Sequence, residues 1–87
     1  MKKLILFYLP DSNVSKLFVE RLHKALALPE FAGRFNLIRY NIYTDTGRQE
    51  ARSIGISDAP AAYCNGYVLR GLQSDYTFRR YLRKLLE

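Results

Sequence analysis

Strand-like and helix-like spacings of apolar residues alternate in this sequence. Residues 3–9 are almost continuously apolar, which is typical of a central strand covered on both faces. The next apolar residues follow a helical period, and Pro29 marks the end of that helix because the residue before a proline disfavours helix. These helical positions are Val14, Leu17, Phe18, Leu22, Ala25 and Leu26.

A second strand and a short helix are predicted in the middle of the chain. Residues 35–43 are rich in β-forming residues and partly alternate between apolar and polar. Thr44 and Asp45 then offer a helix cap. The polar segment 46–54 favours a short helix with Ala51 and Ile54 facing the core, and Gly55 fits its C-terminal end.

The last third of the chain predicts a hairpin followed by a helix. The Asn65-Gly66 pair lies between the β-rich segments 61–64 and 67–70, which is the strongest short hairpin signal. Gly71 ends the second strand, and Ser74 or Asp75 can cap a final helix. The candidate apolar positions of this helix are Tyr76, Phe78, Tyr81, Leu82, Leu85 and Leu86.

The predicted order is therefore β-α-β-α-β-β-α within one domain, residues 1–87. The first strand-helix-strand unit requires a parallel pair, whereas the hairpin adds an antiparallel pair. We expect an α/β fold with a four-stranded mixed sheet and helices packed on both of its faces.

Composition narrows the class of protein. The chain is 48% apolar and 25% charged, which is ordinary for a folded globular protein. Cys64 is the only cysteine, so an internal disulfide is excluded; we expect a buried, inert thiol. The apolar segment 4–9 is too short for a signal peptide or a membrane span, so we expect a cytoplasmic protein that does not contact the membrane.

The formal charge of +6 does not by itself indicate a nucleic-acid-binding protein. Cations concentrate only in the last helix, where they favour the negative end of the helix dipole. No RNP-like aromatic motif or helix-turn-helix accompanies them, so nucleic acid is not expected as a partner. His23 lies off the apolar stripe and has no second histidine, which indicates a surface residue.

Two serines separated by two residues lie where the first strand passes into the first helix. This segment is similar to the active-site segment of thioredoxin-superfamily proteins, and of glutaredoxins in particular, with serine at both positions of the Cys-x-x-Cys motif. It is Phe7-Tyr8-Leu9-Pro10-Asp11-Ser12-Asn13-Val14-Ser15-Lys16. Ala59-Pro60 resembles the cis-proline segment of the family, Gly71 its glycine after the hairpin, and Ser74-Asp75 its Thr/Ser-Asp pair.

The resemblance implies a minimal thioredoxin fold of glutaredoxin type and a parent activity of thiol–disulfide exchange. Ser12 would stand at the nucleophile position and Ser15 at the resolving position. The substrate-binding positions implied are Lys16, Ala59, Pro60, Ser74 and Asp75. The implied partner is a thiol- or disulfide-bearing protein or glutathione, with the γ-glutamyl end of glutathione at Ser74-Asp75. No bound cofactor or metal is implied, and we expect a monomer.

Serine cannot perform this exchange. Its hydroxyl is not ionised at neutral pH and forms no disulfide, whereas a thiolate does both the attack and the resolution. His23 is two to three helical turns away and cannot serve as an adjacent base. We therefore expect a redox-inactive chain, either a natural relative that kept its binding groove or a Cys-to-Ser form of an active enzyme. The alternative function is a non-catalytic protein-interaction module.

Overall fold

Seven elements follow one another in the computed structural model, which describes all 87 residues. Their order confirms the predicted β-α-β-α-β-β-α arrangement, although β2 ends earlier than expected. The strands are β1 (Lys2–Tyr8), β2 (Phe35–Asn41), β3 (Ala61–Cys64) and β4 (Tyr67–Arg70), and the helices are α1 (Asn13–Leu26), α2 (Asp45–Ser53) and α3 (Asp75–Leu85).

The four strands form one mixed sheet in the order β2-β1-β3-β4. β1 is parallel to β2, with Tyr8 opposite Asn41 at their carboxyl ends. β3 is antiparallel to β1 and to β4, and Ala61 of β3 lies opposite Phe7. The mixed sheet predicted from the sequence is confirmed, with β1 in an interior position as its apolar run indicates.

Helices cover both faces of the sheet, which confirms the layered arrangement predicted. Leu4 and Leu6 of β1 face α1 and α3 in a core cluster of 12 buried residues. Ile5 and Phe7 point to the opposite face and join Ala51 of α2 in a cluster of 5 buried residues. The alternation of side chains along β1 therefore divides the domain into a large core and a small one.

The buried faces of α1 and α3 differ in part from the predicted stripes. In α1 the buried residues are Ser15, Phe18, Leu22 and Ala25, whose spacing of three and four places them on one face. Val14 and Leu17, two positions of the predicted apolar stripe, are 44% and 40% exposed because they lie beside this buried face. Tyr76, predicted as an apolar position of α3, is likewise exposed at 57%.

The local signals at the turns are confirmed. Thr44 caps α2 by accepting the N–H of Gly47 at 2.9 Å. In the hairpin, Asn65 and Gly66 have φ angles of 49° and 88°. Such positive values at both central residues are what a two-residue hairpin of type I′ requires.

Both ends of the chain lie at the end of the sheet where β1 begins, remote from the β1–α1 loop. Lys2, the first residue of β1, and Glu87 line the same small cleft together with Lys84. No helix of the domain combines the length and the apolar character needed to cross a membrane.

Candidate functional site

The first turn of α1 begins at the carboxyl end of β1, and Ser12 caps it. Ser12 has an extended backbone, and its Oγ accepts the N–H of Ser15 at 3.2 Å. This satisfies one of the amide groups that a helix leaves free at its N-terminus. The half-buried Ser12 hydroxyl therefore acts as the N-cap of α1.

Ser15 is the only buried polar side chain of the domain, with 1% of its surface exposed. Its Oγ accepts the N–H of Leu9 at 2.9 Å, across the loop that joins β1 to α1. Together with the Ser12 cap, this bond ties the loop to the first helical turn at two points. The two serines thus have different environments, one at the rim and one in the interior.

Pro60 lies next to this loop. The Ala59–Pro60 peptide is cis, as the resemblance implied, and Pro60 is buried. Because Ala61 pairs with Phe7, Pro60 lies level with the end of β1. The Pro60 carbonyl accepts the N–H of Gly71 at 3.1 Å, so the end of β4 also lies at this end of the sheet. The structure therefore groups Ser12, Ser15 and Pro60 at the carboxyl end of β1.

Tyr43 completes the rim of the site, and sequence reasoning missed it. Its O–H donates to the carboxylate of Asp11 at 3.2 Å, beside the start of α1. The charge of Asp11 disfavours a phenolate and therefore raises the pKa of Tyr43 above its ordinary value. The sequence pattern placed Tyr43 in the second strand. No local signal connects it with Asp11, which lies 32 residues earlier in the chain.

Ser74 and Asp75 occupy a different part of the surface from the first turn of α1. Ser74 caps α3, as predicted, by accepting the N–H of Thr77 at 3.2 Å. The Asp75 carboxylate pairs with Lys24 at 3.3 Å. Lys24 lies twelve residues after Ser12, which corresponds to about 18 Å along the helix axis. The start of α3 is therefore held against the second half of α1.

Neither Cys64 nor His23 is placed to act on the serines. Cys64 is buried in β3 as predicted, with 1% exposure, and burial raises the pKa of its thiol while Lys2 partly opposes this. His23 is exposed in the last turn of α1, also as predicted, about 16 Å along the axis from Ser12. At this distance His23 is not an adjacent base for the Ser12 hydroxyl.

Lys16 is exposed and lines a cleft on the side of α1 that faces β2. The other predicted binding residue, Ala59, is half-buried and packs against the small core below the site. No model of a known protein family matches this sequence, and no curated protein matches it either.

Proposed function

We propose that this chain is a thioredoxin-like domain of glutaredoxin type whose parent activity is thiol–disulfide exchange and which is itself redox-inactive. Three features support the proposal: the element order with its strand order β2-β1-β3-β4, the strand-to-helix loop with its paired serines, and Pro60 beside them. The chain would keep the binding surface of such an enzyme without its thiols.

The observation that carries the proposal is the unequal placement of the two serines. Ser12 is half-buried at the helix N-terminus, where the amide groups and the helix dipole would stabilise a thiolate. Ser15 lies one turn further on, in the interior, and its backbone N–H reaches the Ser12 side chain. This is the division of roles that dithiol exchange uses, with an accessible attacking sulfur and a protected resolving sulfur.

The direct test is to place thiols at both positions with the double substitution Ser12→Cys, Ser15→Cys. We expect this variant to reduce insulin with dithiothreitol as the electron donor. We also expect the thiol at position 12 to have a pKa below about 8.5, measured from the pH dependence of its alkylation. The unaltered chain is the matched control, because it retains Cys64 and reports any activity of that thiol.

Two outcomes would count against the redox lineage. One is a double variant that folds, as judged by its circular dichroism, and reduces nothing. The other is an ordinary pKa for the thiol at position 12. The single substitution Ser12→Cys should trap mixed disulfides without turnover, since the resolving thiol is missing.

Glutathione is the small-molecule partner we propose, with its γ-glutamyl end at the start of α3. Its γ-glutamyl carboxylate would meet the free amides at the start of α3, and its ammonium would meet Asp75 in competition with Lys24. We expect glutathione to shift the NMR amide signals of Ala61, Ser74 and Asp75 in the unaltered chain. If glutathione shifts none of these three signals, the proposed likeness to glutaredoxins is contradicted.

A non-catalytic interaction module is the second candidate, and the exposed apolar residues favour it. Val14 and Leu17 lie one turn apart on α1, and Leu72 is 41% exposed next to Gln73, whose carbonyl accepts a bond from Arg21 of α1. A contiguous patch of exposed apolar groups is typical of a partner-binding surface. A stable partner retained by the unaltered chain should be lost on Leu17→Lys but not on the control Val68→Lys in β4.

A further inference from the structure

A cleft of about 350 Å³ opens between the first two turns of α1 and the sheet. On the sheet side it is lined by Tyr8 and Arg39, which lie near the carboxyl ends of the parallel strands β1 and β2. Its wall is formed by Lys16, Val19 and Glu20, whose spacing places them on one face of α1. The volume falls within the range of about 300–1,000 Å³ that small-molecule sites occupy.

Two cations in this cleft have no carboxylate partner. The domain has five ion pairs within 4.0 Å, and neither Lys16 nor Arg39 takes part in any of them. The Arg39 guanidinium lies 5.8 Å from the centre of the Tyr8 ring, a cation–π contact that leaves its N–H donors free at the edge. Both cations are therefore available to an anion.

The apolar part of the cleft and its net charge define the ligand further. Leu9, Pro10 and Val19 supply apolar surface next to the two cations. Glu20 contributes one negative charge, so the three charged side chains sum to +1. A ligand with a single negative charge and an apolar body neutralises the net charge of this lining and covers its apolar part.

We propose that this cleft binds a small organic monocarboxylate, with its carboxylate between Lys16 and Arg39 and its apolar body against Leu9 and Val19. The proposal does not depend on the redox lineage, since no thiol takes part. It would hold for the unaltered chain even if the double cysteine variant reduced nothing.

The test is an NMR titration of the unaltered chain with 4-phenylbutyrate, using the uncharged 4-phenylbutanol as its matched partner. We expect saturable binding of the carboxylate in the millimolar range, with shifts at the amides of Leu9, Lys16 and Arg39. The alcohol should bind at least about fivefold more weakly, because it lacks the charge that the two cations attract.

Substitutions separate this cleft from the general positive charge of the domain. Lys16→Gln and Arg39→Gln should each weaken 4-phenylbutyrate binding about fivefold. Glu20→Gln should strengthen it. The controls Lys3→Gln and Arg34→Gln remove the same charges from exposed positions at the opposite ends of β1 and β2, and they should leave the affinity unchanged.

Three results would overturn the proposal. The first is equal weakening by the control substitutions, which would indicate attraction to net charge alone. The second is equal binding of the alcohol and the carboxylate. The third is binding of phenyl phosphate more than about tenfold tighter than the carboxylate, which would point to a phosphate site in place of a monocarboxylate site.

Discussion

The Ser15 side chain shows how one buried hydroxyl can hold a functional loop. Its Oγ accepts the Leu9 N–H, so this amide is satisfied although the chain has left β1 and has not yet entered α1. A buried backbone donor without a partner is costly, which explains why a polar residue lies on the apolar face of α1.

Ser15→Ala should therefore destabilise the domain by about 1–3 kcal/mol, because the Leu9 N–H loses its acceptor. Ser12→Ala should cost about 1 kcal/mol, the usual loss for a helix cap. Urea unfolding of the two variants measures both effects, with the exposed Ser57→Ala as control. If Ser15→Ala is no more harmful than Ser57→Ala, the buried bond contributes nothing.

Asp11 and Tyr43 give the rim of the site a measurable pH response. The Asp11 charge raises the pKa of Tyr43, so the bond between them is present at neutral pH and is lost as pH rises through that raised pKa. Asp11→Asn should lower the pKa of Tyr43 towards its ordinary value of 10.0. Carbon NMR of ring-labelled tyrosine follows this titration. The substitution Asp58→Asn should leave the Tyr43 pKa unchanged.

Among the helices, α2 is the one whose position depends on a single glycine. Gly47 is buried in its first turn, and a Cβ at this position would overlap the carbonyl oxygen of Asn41 at the end of β2. The helix can approach the strand this closely only because Gly47 has no side chain.

Gly47→Ala should consequently destabilise the domain, by about 1–3 kcal/mol, through overpacking against rigid backbone. At an exposed helix position the same change would stabilise by about 1 kcal/mol, so the sign of the effect is the test. Thermal unfolding compared with Gln49→Ala, an exposed position of α2, gives the measurement. A stabilised Gly47→Ala protein would show that α2 can move away from β2.

The elements were predictable where the signal is local, and the side-chain environments were not. Apolar runs, caps and the Asn65-Gly66 pair fixed the order and most bounds, since each depends on neighbouring residues only. The apolar stripe predicted for α1 differs from its buried face at Val14 and Leu17, because apolar residues flank that face and the buried Ser15 is polar. The Asp75–Lys24 pair joins distant segments, which no local spacing reveals.

The two cores of the domain are unequal, and this predicts unequal local stability. The α1 and α3 face holds 12 buried residues, whereas the α2 face holds 5. Less buried apolar surface means that α2 can open at a lower free energy. We expect the amides of α2 to exchange hydrogen at least about tenfold faster than the central amides of α1. Equal protection of both helices would indicate a single cooperative unit.

Because the two chain ends are adjacent, the domain can be attached to a surface or a carrier through either of them. Lys2 and Glu87 share a cleft at the end of the sheet where β1 begins, and the Ser12 loop lies at the opposite end of β1. A bead, a label or a fused carrier attached through either end would therefore point the serine pair and its neighbouring cleft outward. Domain immobilised through either end should capture ligands as freely as domain in solution.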